Sequence, residues 1–331
     1  MGVMFSLLAV VVLIIIATVG AGVLGWHYVF SVILPYLAMA TFLVGVVYRV
    51  LKWARSAVPF RIPTTCGQQE SLPWLKTNPI ETPHTLWGVL GRMAMEVLFF
   101  RSLFRNTRAK VTDGPRVLYA PDKWLWAAGL AFHWSFLIIF IRHFKYFAEP
   151  VPSWVLTLQN LDGFFQVGLP IILATDVIVV VSLTFLFLRR VVDGKVRYIS
   201  LPADYFPLFL LLGITLSGVL MRYFTKTDLL SIKALGTGLL SFSPVAPEGV
   251  SAVFFVHLFL VSVLMAYFPF SKLMHFAGVF MSPTRNLANN NRVKRHINPW
   301  DYPVEVHTYE EYEDEFREVM EAAGLPVDKE K

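Results

Sequence analysis

Between Met1 and Tyr48 the chain carries no Asp, Glu, Lys or Arg. A stretch so apolar cannot be solvated by water, and a membrane-spanning helix needs about 20 mostly apolar residues. It therefore divides into two spans. The tight break from Gly20-Ala21-Gly22 to Gly25-Trp26-His27 joins them, since glycine supplies the backbone freedom that a sharp reversal requires. No basic residue precedes the first span and a second follows at once, so it reads as a retained anchor and not a signal peptide.

Four more segments meet the same requirement, giving spans at 2–24, 29–51, 124–147, 165–188, 204–224 and 250–279. Composition agrees, with 56% hydrophobic residues, 16% charged and a mean hydropathy of +0.57, against about 25% charged in a soluble domain. A water-soluble enzyme, a disordered tail and a secreted disulfide scaffold are thereby excluded. The expected fold is all-α and integral to the membrane, with six transmembrane helices. Residues 1–51 form two N-terminal spans, 52–123 a cytoplasmic loop, 124–281 a bundle of four spans, and 282–331 a polar tail.

Six crossings return both termini to one side. Of the 29 Lys and Arg residues, 24 fall in the loops on that side and 5 on the other. Positive residues accumulate on the cytoplasmic face, so the expected location is the cytoplasmic membrane with both termini inside. Orientation and acidic lipid account for the net charge of +6, and nucleic acid is not an expected partner. The single cysteine, Cys66, excludes an intrachain disulfide, a CxxC zinc site, a CxxCH haem attachment and a four-thiolate iron–sulfur cluster.

In the loop, Leu90, Met93, Val97, Phe100 and Phe104 recur at helical spacing among Arg92, Glu96, Arg101 and Arg105. An amphipathic helix over 86–104 follows, lying at the interface or packed under the bundle. In the tail, Thr308 and Glu311 form a capping-box pattern. Tyr309, Tyr312, Phe316, Val319 and Ala323 line one stripe, and Gly324 with Pro326 ends the helix. The opposite face is acidic, so the stripe either takes a soluble partner or is a solvated surface.

Of eight histidines, His84, His296 and His307 fall in loops and His27 at a turn, whereas His133, His143, His257 and His275 lie within two spans. Ionisable residues inside a membrane are costly and mark functional sites. The third and sixth spans run in opposite directions, so depth pairs His143 with His257 on the outer side and His133 with His275 on the inner side. Two imidazoles ligate haem iron and leave no open position, which suits electron transfer. Zinc would want Cys or carboxylate company. The geometry carries a strain: ten residues of helix rise about 15 Å and eighteen about 27 Å. Pro269 lies between His257 and His275, where a kink would absorb part of the difference.

The sixth span closes in Pro269-Phe270-Ser271-Lys272-Leu273-Met274-His275. This motif, with histidines ten apart on one helix and eighteen apart on the last, resembles the cytochrome b membrane subunit of respiratory nitrate reductase and its relatives over residues 124–279. That subunit has five spans. The extra first span, the long loop and the tail from Ser282 to Asn291 look most like the DsrM-type subunits of the sulfite-reduction-associated Dsr membrane complex.

The resemblance implies a dihaem bundle with two haems b on His133, His143, His257 and His275, and exchange with menaquinone or another quinone. It also implies a cytoplasmic iron–sulfur subunit similar to heterodisulfide reductase, a periplasmic multihaem cytochrome c, and a respiratory role in dissimilatory sulfite reduction. The chain would be an electron-transfer subunit of an oxidoreductase complex, itself either quinone-reactive or non-catalytic. Arg142, Lys145, Tyr146, Arg222, Tyr223 and Lys226 are the residues offered for the quinone vicinity or for interface anchoring. Lys272, Arg285 and Arg189 are offered for inner propionates or lipid phosphates. Asp176, the one carboxylate expected well inside the membrane, reads as a neutral hydrogen-bonded acid before a proton relay or a histidine-orienting group. The rival reading is a haem-free anchor or a proton-conducting or transport subunit.

Overall fold

The computed structural model describes residues 2–58, 68–112, 114, 116–166, 170–225, 227–293, 303 and 306–328. Helix α1, Gly2–Ala17, continues into a π-helical turn over Thr18–Val23. A second π-helical turn, Val29–Ile33, leads into α2, Leu34–Ala54. Gly25 takes the reversal between them at φ +70°. Gly20 is small of necessity, because a Cβ there would lie 2.4 Å from the Phe30 ring.

Helix α3, Leu86–Phe99, is capped by Thr85, whose hydroxyl accepts from Gly88 N. The helix expected over 86–104 is cut at Phe100, which adopts the left-handed conformation at φ 52°, and Arg101–Phe104 forms a separate turn. Strands β1, Thr107–Thr112, and β2, Arg116–Pro121, follow as an antiparallel hairpin with Thr107 opposite Pro121. The hairpin leads into α4, Lys123–Arg142, which tightens into a 3-10 turn at His143–Tyr146. Helix α5 is Ser153–Asp162.

The expected span 165–188 is corrected. Gly163–Phe165 and Ile172–Leu173 pair as short antiparallel strands, and the helix, α6, covers Ala174–Val192. Pro170 falls in this segment, and proline and its predecessor disfavour helix. Helix α7 is Pro202–Tyr223, α8 Leu229–Leu240 and α9 Ala252–Tyr267. The expected continuous span 250–279 is also corrected: 3-10 turns at Phe268–Phe270 and Lys272–Met274 flank an extended Ser271, and a short helix starts at His275. Pro269 removes a helical donor, and the Ser271 hydroxyl caps the new turn by accepting from Leu273 N. Helix α10 is Tyr309–Ala322.

Five segments are long and apolar enough to cross a membrane: Gly2–Val23, Val29–Ala54, Lys123–Tyr146, Pro202–Tyr223 and Ala252–Phe270. The chain is thus a multi-pass, mostly helical membrane protein. Helix α6 carries Asp176, Arg189 and Arg190 and is not one of the five, yet it runs between the same two ends. Asp176 in its first turn meets Arg142 at the end of α4, and Arg189 in its last turn bonds Asp122 just before α4 begins.

Helix α4 packs on α6, α6 on α7, α7 on α9 and α9 on α2, while α1 lies on α7 and α9. One core cluster joins Val10, Ala17, Phe30, Leu210, Ile214, Phe255 and Leu260; a second joins Val179, Leu183 and Leu211 with Phe132 and Phe136 packed against it. Helices α4 and α9, which carry paired histidines, are not a closely packed pair.

Candidate functional site

The gap between α4 and the α9 segment is crossed by two pairs of imidazoles. His143 and His257 lie with ring centres 6.4 Å apart and planes 9° from parallel. His133 and His275 lie 5.9 Å apart at 83°. Two imidazole nitrogens each about 2 Å from a shared metal would place their ring centres about 6 Å apart, so both pairs have the spacing of ligand pairs. His275 sits beyond the extended Ser271 and not on one straight eighteen-residue rod, which removes the height mismatch that a continuous helix would impose.

Each of the four rings spends Nδ1 on a backbone carbonyl. His133 bonds Gly129 O at 2.7 Å, His143 Ile139 O at 2.7 Å, His257 Ile214 O at 3.0 Å and His275 Lys272 O at 2.9 Å. A carbonyl only accepts, so Nδ1 carries the proton, and a neutral ring then presents the Nε2 lone pair. That is the arrangement by which outer contacts fix the tautomer of a metal-bound histidine. Ser217 Oγ also lies 3.0 Å from His257 Nδ1. The donor set and spacing therefore fit two bis-imidazole iron sites. Among the described residues no group of three or more His, Cys, Asp and Glu forms a metal cage.

Beyond the histidines the ends differ. At the His143 end, Arg142 is 6% exposed and lies between two carboxylates: Nη2 is 2.5 Å from Asp176 Oδ1 and Nη1 is 3.0 Å from Asp162 Oδ2. Asp162 also accepts from Thr175 N at 3.0 Å and Thr175 Oγ1 at 2.6 Å. Tyr223 donates to Asp176 Oδ2 at 2.9 Å, and Arg222 Nε stands 3.8 Å from the same oxygen. Lys145 donates to Gln159 Oε1 at 2.8 Å and lies over the Tyr146 ring.

The structure thus brings Arg142, Arg222 and Tyr223 together around Asp176, with Lys145 and Tyr146 beside His143. Lys226 lies outside the described residues. The mid-membrane position expected for Asp176 is corrected: α6 begins at Ala174, so Asp176 is in its first turn, in an ion pair and not isolated. Asp162, Gln159 and Thr175 are members of this network that no sequence motif marks. The signal available was an acid closing an otherwise uncharged segment, 153–162.

At the His275 end the ring environment is aromatic. Phe100 and Phe132 each present a ring edge to His133, both with centroids at 4.9 Å. Trp126 and Trp134 donate to Phe99 O and Leu98 O, tying the end of α3 to α4. Buried Glu81 pairs with Arg101 at 2.6 Å and Arg105 at 2.5 Å. Burial pushes its carboxyl up, but the hydrogen bonds and charges of Arg101 and Arg105 prevail and hold it below the usual range. Lys272 pairs with Asp204 at 2.7 Å and Arg189 with Asp122 at 3.0 Å. Arg285 lies in the turn Pro283–Asn286, where Thr284 O accepts from buried Arg92 Nη1 at 3.1 Å. His27 stacks on Phe255 and His84 pairs with Glu70, while His296 and Cys66 lie outside the described residues.

The chain matches the family model described as nitrate reductase gamma subunit over residues 83–296. It is 47% identical over 285 residues to the "Hdr-like menaquinol oxidoreductase cytochrome b-like subunit" of Archaeoglobus fulgidus, covering 84% of this chain and 85% of that one. A protein of the same description from Archaeoglobus profundus is 44% identical over 275 residues, covering 81% of each. The matched region contains both histidine pairs and the polar network at the His143 end, and the chain belongs to the nitrate reductase gamma subunit family of membrane proteins.

Proposed function

We propose that this chain is a dihaem cytochrome b subunit that links a quinone pool to a soluble redox partner. The observation that supports it most is the common state of the four paired histidines: two pairs at ligand spacing, every Nδ1 held by a carbonyl and every Nε2 left to ligate. His143 and His257 would hold the outer iron, His133 and His275 the inner. Bis-imidazole haem supplies a one-electron carrier with no open coordination position.

The remaining work belongs to the chain's own side chains. Arg142, Arg222 and Lys145 place positive charge beside His143, where a reduced quinone head group or a propionate would be met, while Tyr146 and Tyr223 offer hydroxyls. Asp176 and Asp162 keep Arg142 in place and are the acids nearest to receive protons at that end. The substrate class rests on relatives described as menaquinol oxidoreductase subunits, and menaquinol is the quinone proposed here. The same descriptions support assembly with Hdr-like subunits, and the proposal puts a heterodisulfide-reductase-like iron–sulfur subunit at the His275 end. The basic loops support a cytoplasmic location for that end; a periplasmic multihaem cytochrome c and a role in dissimilatory sulfur metabolism complete the proposal.

The test is a haem extraction and a reduced-minus-oxidised spectrum of the purified chain, with iron counted per polypeptide. Two b-type haems are expected, falling to one in His143→Ala or His257→Ala and to a different one in His133→Ala or His275→Ala. A well-folded membrane preparation without haem would move the four histidines to a proton-path or structural role.

A further inference from the structure

Helix α10 is closed at both ends by local signals. Thr308 and Glu311 cap it reciprocally, Gly324 turns the chain back at φ +69°, and the return segment closes over one face. Leu325 N bonds Met320 O, Tyr309 Oη donates to Pro326 O, and Asp328 N donates to Glu313 Oε2 at 2.8 Å. Glu313 and Met320 are buried. Among the described residues α10 forms no close pairing with another helix or strand.

The face left open is apolar and ordered at helical spacing. Tyr309, Tyr312, Phe316 and Val319 are all exposed, Val319 by 66%, and the Tyr312 and Phe316 rings stack with centroids 4.9 Å apart. Around them the polar positions are acidic: Glu310, Glu311, Asp314, Glu315 and Glu318 are exposed, and the helix has Arg317 as its one basic residue. Amphipathic helices that lie on lipid carry Lys and Arg on the polar face, because the cytoplasmic leaflet is negative. This helix has the opposite charge and would be repelled by that surface.

The start of the tail packs at one end of the bundle. Asn289 N bonds Pro83 O at 2.7 Å and Arg92 reaches Thr284 O, so the chain enters the tail beside α3, at the end where His133 and His275 lie.

We propose that the Tyr309, Tyr312, Phe316 and Val319 face of α10 is the docking site for a soluble subunit, which meets it with an apolar groove rimmed by lysine and arginine. The mode is helix-in-groove recognition, with anchors about one turn apart giving affinity and the acidic rim steering encounter and excluding acidic competitors. This rests on the proposed function, which places a soluble iron–sulfur subunit at the same end.

The experiment uses the full chain in nanodiscs and the purified heterodisulfide-reductase-like iron–sulfur subunit of the complex, with affinity measured at low and high salt. Tyr312→Ala/Phe316→Ala should weaken binding at least thirtyfold. Glu310→Lys/Glu315→Lys/Glu318→Lys should slow association more than tenfold and flatten its salt dependence. The haem spectrum should be unchanged in both, and hydrogen exchange of α10 should slow only when the iron–sulfur subunit is present. Wild-type-like binding by both variants would overturn this proposal and leave the proposed function standing. Failure of the unsubstituted chain to bind would overturn both. Protection of α10 by acidic-lipid nanodiscs alone, or by a second copy of the chain, would assign the face to another occupant and also overturn it.

Discussion

The two ends of the bundle hold the same pair of side chains in unlike settings. At one end parallel imidazoles adjoin an ion network built from five elements, with Arg142 bridging Asp162 and Asp176. At the other, perpendicular imidazoles meet phenylalanine edges, and one histidine stands on a short helix past a broken one. A charged setting gives protons and a polar substrate somewhere to bind. An aromatic setting offers a polar substrate fewer partners beside the rings. Under the proposed function, proton exchange would belong at the His143 end and electron exchange at the His275 end.

The comparison breaks most sharply at Arg142. Arg142→Met would leave buried Asp162 and partly buried Asp176 without their shared cation, and removing one partner of a buried ion pair costs about 3–5 kcal/mol. The expected result is a lower thermal midpoint in detergent together with loss or distortion of the His143/His257 spectrum, while the His133/His275 spectrum persists. Replacing both acids as well, in Arg142→Met/Asp162→Asn/Asp176→Asn, should recover much of the stability. Equal damage at both ends would show that the network serves the whole bundle and not the outer pair.

The opposite end is reached through α2. A Cβ on Gly45 would stand 2.6 Å from Pro269 Cβ and 2.8 Å from its Cγ, and Pro269 opens the turn that delivers His275. Overpacking of this kind costs about 1–3 kcal/mol. Gly45→Ala should therefore shift the His133/His275 spectrum and leave the other pair unchanged. An unaltered inner spectrum in a stable Gly45→Ala protein would mean that the position of His275 is set within its own turn and not by α2.

What was legible in the sequence follows from what each feature depends on. Span positions depend on local apolarity, and four were readable to within a few residues, with the start of a fifth. The histidines stood out because an imidazole in an apolar run is conspicuous alone. The start of α6 was not readable from hydropathy, since Gly163–Phe165 and Ile172–Leu173 are as apolar as a helix yet pair as strands. The β1–β2 hairpin left a local sign in Asp113-Gly114 between alternating runs, a hairpin signal that the surrounding membrane pattern does not reinforce. Asp162 acquires its meaning only from Arg142 and Thr175, thirteen or more residues away, and such partnerships exist only in the packed molecule. The break at Ser271 was half legible: Pro269 signals an interruption, but the extended residue that redirects the chain needs the contact with Gly45 to be seen.

The finest distinction between the two pairs lies in a single hydroxyl. Of the four histidines, His257 is the one with a side-chain group at Nδ1, Ser217 Oγ at 3.0 Å, in addition to a carbonyl. Ser217 also donates to Ile214 O at 2.9 Å, so that carbonyl receives two side-chain donors and the Nδ1 proton is shared between two oxygens. Ser217→Ala would remove one acceptor and also free Ile214 O from its competing donor, letting the Nδ1–H bond to the carbonyl shorten. A neutral hydrogen bond is worth about 0.5–1.5 kcal/mol, and the compensation should keep the stability change below about 1 kcal/mol. The measurable effect would be a small change in the midpoint potential of the outer centre, because hydrogen bonding to a ligand histidine tunes the metal it holds. The inner centre, whose histidines rely on carbonyls alone, should not move, and a shift of both would show that the two sites are electrostatically coupled across the bundle.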